Sequence, residues 1–172
     1  KINFLDISEC RIASPEGMKE IGKLTELKTL GFWETKLNDE AFNEFGKLTA
    51  VEDLNLKATN VTDESVATLL KMKKLKKLNL AGTQLTDEGF KQLAELPDLV
   101  ELNVANTSIG FDIIDLLAEK EGLTVVEFEN QRSTEFLKAG HSGDVHYPRR
   151  RSLLRFCLLI LKENYVRVSS CQ

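Results

Sequence analysis

The stretch "LAGTQLTDEGF", Leu80 to Phe90, sets Thr83, Thr86, Asp87 and Glu88 close together. Adjacent carboxylates and hydroxyls suit two chemistries, a general acid–base pair and an oxygen-lined site for a hard cation such as Ca²⁺. Either site need occur only once in a chain. This cluster recurs: "LKATNVTDESV" lies 24 residues earlier and "WETKLNDEAF" a further unit back, while "VANTSIGFDII" follows and drops the motif at Ile109-Gly110-Phe111. Recurrence at a fixed interval assigns the residues to structure. Thr35, Thr59, Thr83 and Thr107 then fall where a strand ends, and a buried hydroxyl there pairs a backbone group whose orphaning costs about 1–3 kcal/mol. Asn38, Thr62 and Thr86 are helix N-cap residues by type. Asp39/Glu40, Asp63/Glu64 and Asp87/Glu88 lie in the first helical turn, where negative charge suits the macrodipole. A Ca²⁺ ladder along this ridge is geometrically conceivable, but the Gly-rich Asp pattern of calcium-binding repeats is missing.

The elements that position these residues follow from the interval. Apolar residues lead each unit at Leu27, Val51, Leu75, Leu99 and Leu123, and "FLDISECRIASPEGMKEIGKLTE" extends the pattern backwards with one extra residue between Ala13 and Gly17. Alternation at Leu54/Leu56, Leu78/Leu80 and Leu102/Val104 predicts short strands with one apolar face. A helix-period set such as Phe90, Leu93, Ala94 and Leu96 predicts a helix over 87–96. No unit buries its leucines alone, so the units must stack.

Each unit reads L-x-x-L-x-L-x-x-T-x-L, and this resembles the leucine-rich repeat family over Ile2 to about Asn130, with Cys10, Thr35, Thr59, Thr83 and Thr107 where that family usually places Asn or Cys. The spacing resembles its 24-residue bacterial-type and cysteine-containing subgroups. The resemblance implies an α/β fold, a right-handed leucine-rich-repeat solenoid with a parallel sheet on the concave face and helices on the convex face. About five repeats and six strands fill residues 1–130.

It also implies a protein-binding module without enzymatic activity, recognising a protein or peptide on the concave face. The alternative is the substrate-recognition fragment of a larger ubiquitin-ligase adaptor or secreted effector. Register puts Phe4, Asp6, Ser8; Thr29, Gly31, Trp33; Asp53, Asn55, Lys57; Lys77, Asn79, Ala81; Glu101, Asn103, Ala105; and Val125, Glu127, Glu129 on that face. The partner-binding set is Trp33, Asp53, Asn55, Lys57, Lys77, Asn79, Glu101 and Asn103. Trp33, the single tryptophan, stands between Ser8 and Lys57 and either meets a partner or packs over Gly31 or against a terminal segment. The Asn55, Asn79, Asn103 row is expected to hydrogen-bond an incoming backbone or carbohydrate, or its own members.

Charge narrows the partner. Residues 1–130 hold 15 Lys and Arg against 24 Asp and Glu, and residues 131–172 hold 8 against 3. An acidic body argues against nucleic acid, whose phosphates need neutralising cations. The run "KMKKLKK" is expected to be a solvated edge. No P-loop or dinucleotide fingerprint occurs, so no cofactor is expected. His141, His146, Cys157 and Cys171 fit no compact zinc spacing, so no metal is expected either. "GHSGD", Gly140 to Asp144, lacks the final glycine of a nucleophile elbow. The basic tail, residues 131–172, is read as a cap or as an out-of-frame end that is not native to the repeats. A membrane-surface role for Arg149, Arg150 and Arg151 ranks behind these, and Leu153 to Leu161 is too short to span a bilayer.

Overall fold

The computed structural model describes residues 2–10 and 15–127; expectations for residues 131–172 lie outside them. Strands β1 (Phe4–Asp6), β2 (Thr29–Gly31), β3 (Asp53–Asn55), β4 (Lys77–Asn79), β5 (Glu101–Asn103) and β6 (Thr124–Val126) alternate with helices α1 (Pro15–Ile21), α2 (Asp39–Asn43), α3 (Val66–Leu69), α4 (Asp87–Leu93) and α5 (Phe111–Ala118). A 3₁₀ turn, Asp63–Ser65, precedes α3. The strands form one parallel sheet in chain order. Each helix is far below the length at which an isolated helix holds in water, so packing against neighbours sustains it.

Register explains the core. Leu5, Leu30, Leu54, Leu78, Leu102 and Val125 pair laterally, and Leu30 through Leu102 are buried beneath the sheet. Phe32, Leu56, Leu80 and Val104 form the next buried row. Helix residues Phe42, Leu69, Phe90 and Leu117 close the core from the other side. Phe45 stacks on Phe32 with centroids 5.2 Å apart and meets Phe42 edge-on at 5.6 Å, geometries that the ring quadrupoles favour.

One turn geometry recurs after every strand but the last. Glu9, Glu34, Ala58, Gly82 and Asn106 have φ of 62°, 54°, 53°, 66° and 55°. Only Gly82 adopts this left-handed conformation without cost.

The last strand departs from expectation. Thr124 pairs with Glu101 and Val126 with Asn103, so Thr124 and Val126 lie in the outward rows and Val125 turns inward. The expected outward set Val125, Glu127 and Glu129 is therefore one residue out of register. Lys28, Glu52, Lys76 and Val100 each separate a lead residue from its strand, whereas Leu123 runs directly into Thr124. Glu129 lies outside the described residues.

Candidate binding face

Three rows of side chains cross the outward face of the sheet. The first is Phe4, Thr29, Asp53, Lys77, Glu101 and Thr124; the second is Asp6, Gly31, Asn55, Asn79, Asn103 and Val126. Ser8, Trp33, Lys57, Ala81 and Ala105 follow two residues on. Ala81 and Ala105 are buried, so they form a closed floor and not the exposed positions expected from alternation. Trp33 and Lys57 are half-buried.

The asparagine row is tied to its own backbone. Asn55, Asn79 and Asn103 each turn Oδ1 back to their own chain, accepting the N–H of Lys57 at 3.1 Å, of Ala81 at 3.0 Å and of Ala105 at 3.0 Å. A backbone N–H only donates, so this pairing fixes the amide orientation and leaves Nδ2 as the outward donor. Asp6 does the same for the Ser8 N–H at 2.9 Å, and the Ser8 hydroxyl, with this N–H, holds its carboxyl below the usual value.

Gly31 breaks the row. Without a side-chain acceptor there, the Trp33 N–H would be orphaned, and the Ser8 hydroxyl accepts it at 3.0 Å from the neighbouring unit. A Cβ on Gly31 would stand 2.6 Å from Asp6 Oδ1, so the glycine makes room for that carboxylate. Trp33 thus sits between Ser8 and Lys57, as register implies, with the Lys57 Nζ 5.3 Å from its ring centroid, within cation–π range. Its Nε1 is buried and meets no acceptor among the described residues.

Charge alternates along the first row. Lys77 pairs with Glu101 at 3.3 Å, an exposed bridge that contributes under about 1 kcal/mol. Asp53 is half-buried, and burial pushes its pKa up, with Lys77 opposing the rise and Glu101 adding to it. At the strand entrances Glu52 bridges Lys28 at 3.1 Å and Lys76 at 2.7 Å. Lys76 and Lys77 of the lysine run are therefore engaged by carboxylates, in keeping with a solvated edge.

The Thr and Asp cluster resolves into two devices. Thr35, Thr59, Thr83 and Thr107 donate their hydroxyls to the carbonyls of Phe32, Leu56, Leu80 and Val104 at 2.8, 2.7, 2.7 and 2.6 Å. The second device was not expected: in three consecutive units the aspartate opening the helical segment, Asp39, Asp63 or Asp87, reaches into the next unit. Asp39 accepts the Thr62 N–H at 2.9 Å, the Thr62 hydroxyl at 2.9 Å and the Ser65 hydroxyl at 2.5 Å. Asp63 accepts the Thr86 N–H at 2.8 Å and its hydroxyl at 2.5 Å, and Asp87 accepts the Gly110 N–H at 2.6 Å. Burial works against the Asp39 charge, yet the bonds from Ser65 and Thr62 together hold its pKa below the usual value.

The caps follow from this. Asn38 and Thr62 accept the N–H groups of Ala41 at 3.1 Å and Glu64 at 3.3 Å. Thr86 occupies the N-cap position but makes no side-chain cap bond, and its hydroxyl donates to Asp63. With their oxygens occupied by N–H and O–H donors, Asp39 and Asp63 are structural clasps. Among the described residues no group of three or more His, Cys, Asp or Glu is placed to hold a metal ion.

A family model described as leucine-rich repeat matches residues 71–94, the unit from the turn before β4 through α4, and the fold is an α/β leucine-rich-repeat solenoid. An internalin from Listeria monocytogenes is 16% identical with a TM-score of 0.49, covering 74% of this chain and 41% of its own. The chain thus spans less than half of that structure. The leiomodin-1 actin-binding site 2 structure is 16% identical with a TM-score of 0.50, covering 79% of this chain and 86% of its own. No curated protein matches the chain.

Proposed function

We propose that residues 1–130 form a protein-binding module of the 24-residue, bacterial-type and cysteine-containing-like kind, taking a protein or peptide across the outward face of its sheet. One observation carries this reading. Residues with a structural task repeat in phase, namely Thr35, Thr59, Thr83 and Thr107, the clasp aspartates Asp39, Asp63 and Asp87, and Asn55, Asn79 and Asn103, whereas the exposed outward side chains change from strand to strand: Thr29, Asp53, Lys77 and Glu101 differ in the first row, and Trp33 and Lys57 in the third. Variation over a fixed frame is how a repeat scaffold carries specificity. Trp33, Asn55 Nδ2 and Lys57 supply an aromatic anchor with donors beside it. Six strands span roughly 24 Å, room for a peptide segment or one face of a small domain. The similar leiomodin-1 structure is named for an actin-binding site, and a polypeptide partner is in keeping with that.

The test selects random 12-residue peptides on the full chain and measures their affinity by fluorescence anisotropy. Trp33→Ala with Asn55→Ala is expected to weaken the selected peptides at least tenfold while the far-ultraviolet circular dichroism stays unchanged. Undiminished affinity in the folded double variant refutes this face as the binding surface.

A further inference from the structure

We infer that the partner meets the centre of this face with a basic side chain, a lysine ammonium or arginine guanidinium seated on the Asp53 carboxylate. The inference rests on the reading of this face as the binding surface and adds the chemistry of what lies on it. Asp53 belongs to the third of six strands, between Thr29 and Lys77 in the lateral register. It is half-buried. Among the described residues it accepts no hydrogen bond and forms no salt bridge, whereas Asp6, Asp39, Asp63 and Asp87 each hold one to three donors.

The cation beside it answers its charge only in part. Lys77 is drawn to Glu101 on the far side, at 3.3 Å, so two carboxylates share one ammonium along this row. Burial works most strongly against ionisation of Asp53, Lys77 offsets part of this, and Glu101 adds to it. A half-buried carboxylate with open lone pairs gains most from a charged donor, and a planar guanidinium supplies two parallel ones. A neutral donor would leave the excess negative charge in place.

The wider field points the same way. With 15 Lys and Arg against 24 Asp and Glu in residues 1–130, the body attracts cations, which raises encounter rates with basic partners and discriminates against acidic ones. The neighbouring outward groups tolerate such a guest. Thr29 offers a hydroxyl and the ring of Trp33 already holds one ammonium at 5.3 Å.

The same peptide selection on the full chain, extended with Asp53→Asn, decides the matter. Peptides that depend on Trp33 and Asn55 are expected to carry Lys or Arg, and Asp53→Asn is expected to weaken them at least tenfold. Replacing the peptide's basic residue by Gln should cause the same loss against the wild type and little further loss against Asp53→Asn, as a double-mutant cycle requires for a direct pair. Peptides that depend on Trp33 and Asn55 yet lack a basic residue, or bind Asp53→Asn within twofold, overturn this inference and leave the face reading standing. A library yielding only peptides indifferent to Trp33, Asn55 and Asp53 overturns both. The asparagine removes a desolvated charge without adding bulk, so the variant's fold is confirmed by an unchanged or raised urea midpoint.

Discussion

Replacing Asp39 by alanine removes the acceptor for three donors of the following unit, the Thr62 N–H, the Thr62 hydroxyl and the Ser65 hydroxyl. A hydrogen bond to a charged group contributes about 1.5–3 kcal/mol where it is buried. This carboxylate is only half-buried, so screening discounts each bond. The hydroxyls can also turn to water, which leaves the part-buried Thr62 N–H as the main loss. The expected cost is therefore about 2 kcal/mol for Asp39→Ala and about 1 kcal/mol for Asp39→Asn, which keeps an acceptor for that N–H. At a urea slope of about 2 kcal/mol/M the alanine variant's midpoint falls by about 1 M. Circular dichroism and Trp33 fluorescence read the transition together, and their separation would show the first units loosening before the rest. The sign of the pH dependence is fixed. Because the folded pKa is lowered from 3.8, the contribution is complete above that unfolded value and is lost as pH falls through the folded one. Asp39→Asn should lack this part of the acid limb. A loss below about 0.5 kcal/mol in Asp39→Ala, the range of ordinary surface substitutions, would refute the clasp as a stabilising device.

Further outcomes follow from the same geometry. Gly89 lies where a Cβ would collide with Asp63 Oδ1, so Gly89→Ala should destabilise by about 1 kcal/mol despite alanine's helix propensity of about 1 kcal/mol; in an Asp63→Ala background the same change should stabilise, both read by urea denaturation. Ala58 holds φ 53°, and Ala58→Gly should raise stability by about 0.5–1 kcal/mol, with Gly82→Ala lowering it by a similar amount in thermal melts. Asp53 has a raised folded pKa, so its ionisation costs stability above that value and the cost is relieved as pH falls toward 3.8. Asp53→Asn should therefore gain under about 1 kcal/mol at pH 7 and nothing below about pH 3.5.

The strands and their rows were legible because apolar spacing is a direct record of burial, and the strand-exit threonines because they recur in phase. The clasp was not, since Asp39 and Thr62, like Asp63 and Thr86, are 23 residues apart, one short of the period, and a search for like residues at 24 passes over them. The slip at β6 was hidden by composition: in "LTVVEF" both Val125 and Val126 suit an inward position, so hydrophobicity reads either register equally. At the site, alternation placed Trp33 and Lys57 together but missed that Ser8 replaces the acceptor lost at Gly31. That substitution crosses from one unit to the next, and a single unit's pattern carries no trace of it.

Each clasp points forward, with a carboxylate at the head of one helix and its donors at the head of the next. Between Asp39 and Gly110, cutting out or copying a block of 24 residues removes or adds one carboxylate and one set of donors together, so the new junction is already matched. Lateral offsets are 24 residues between β2 and β5, 25 at the first junction and 23 at the last. Irregular steps are tolerated at the margins and not within. The gene for such an array can lengthen or shorten by unequal recombination without inventing an interface, provided the crossover keeps phase.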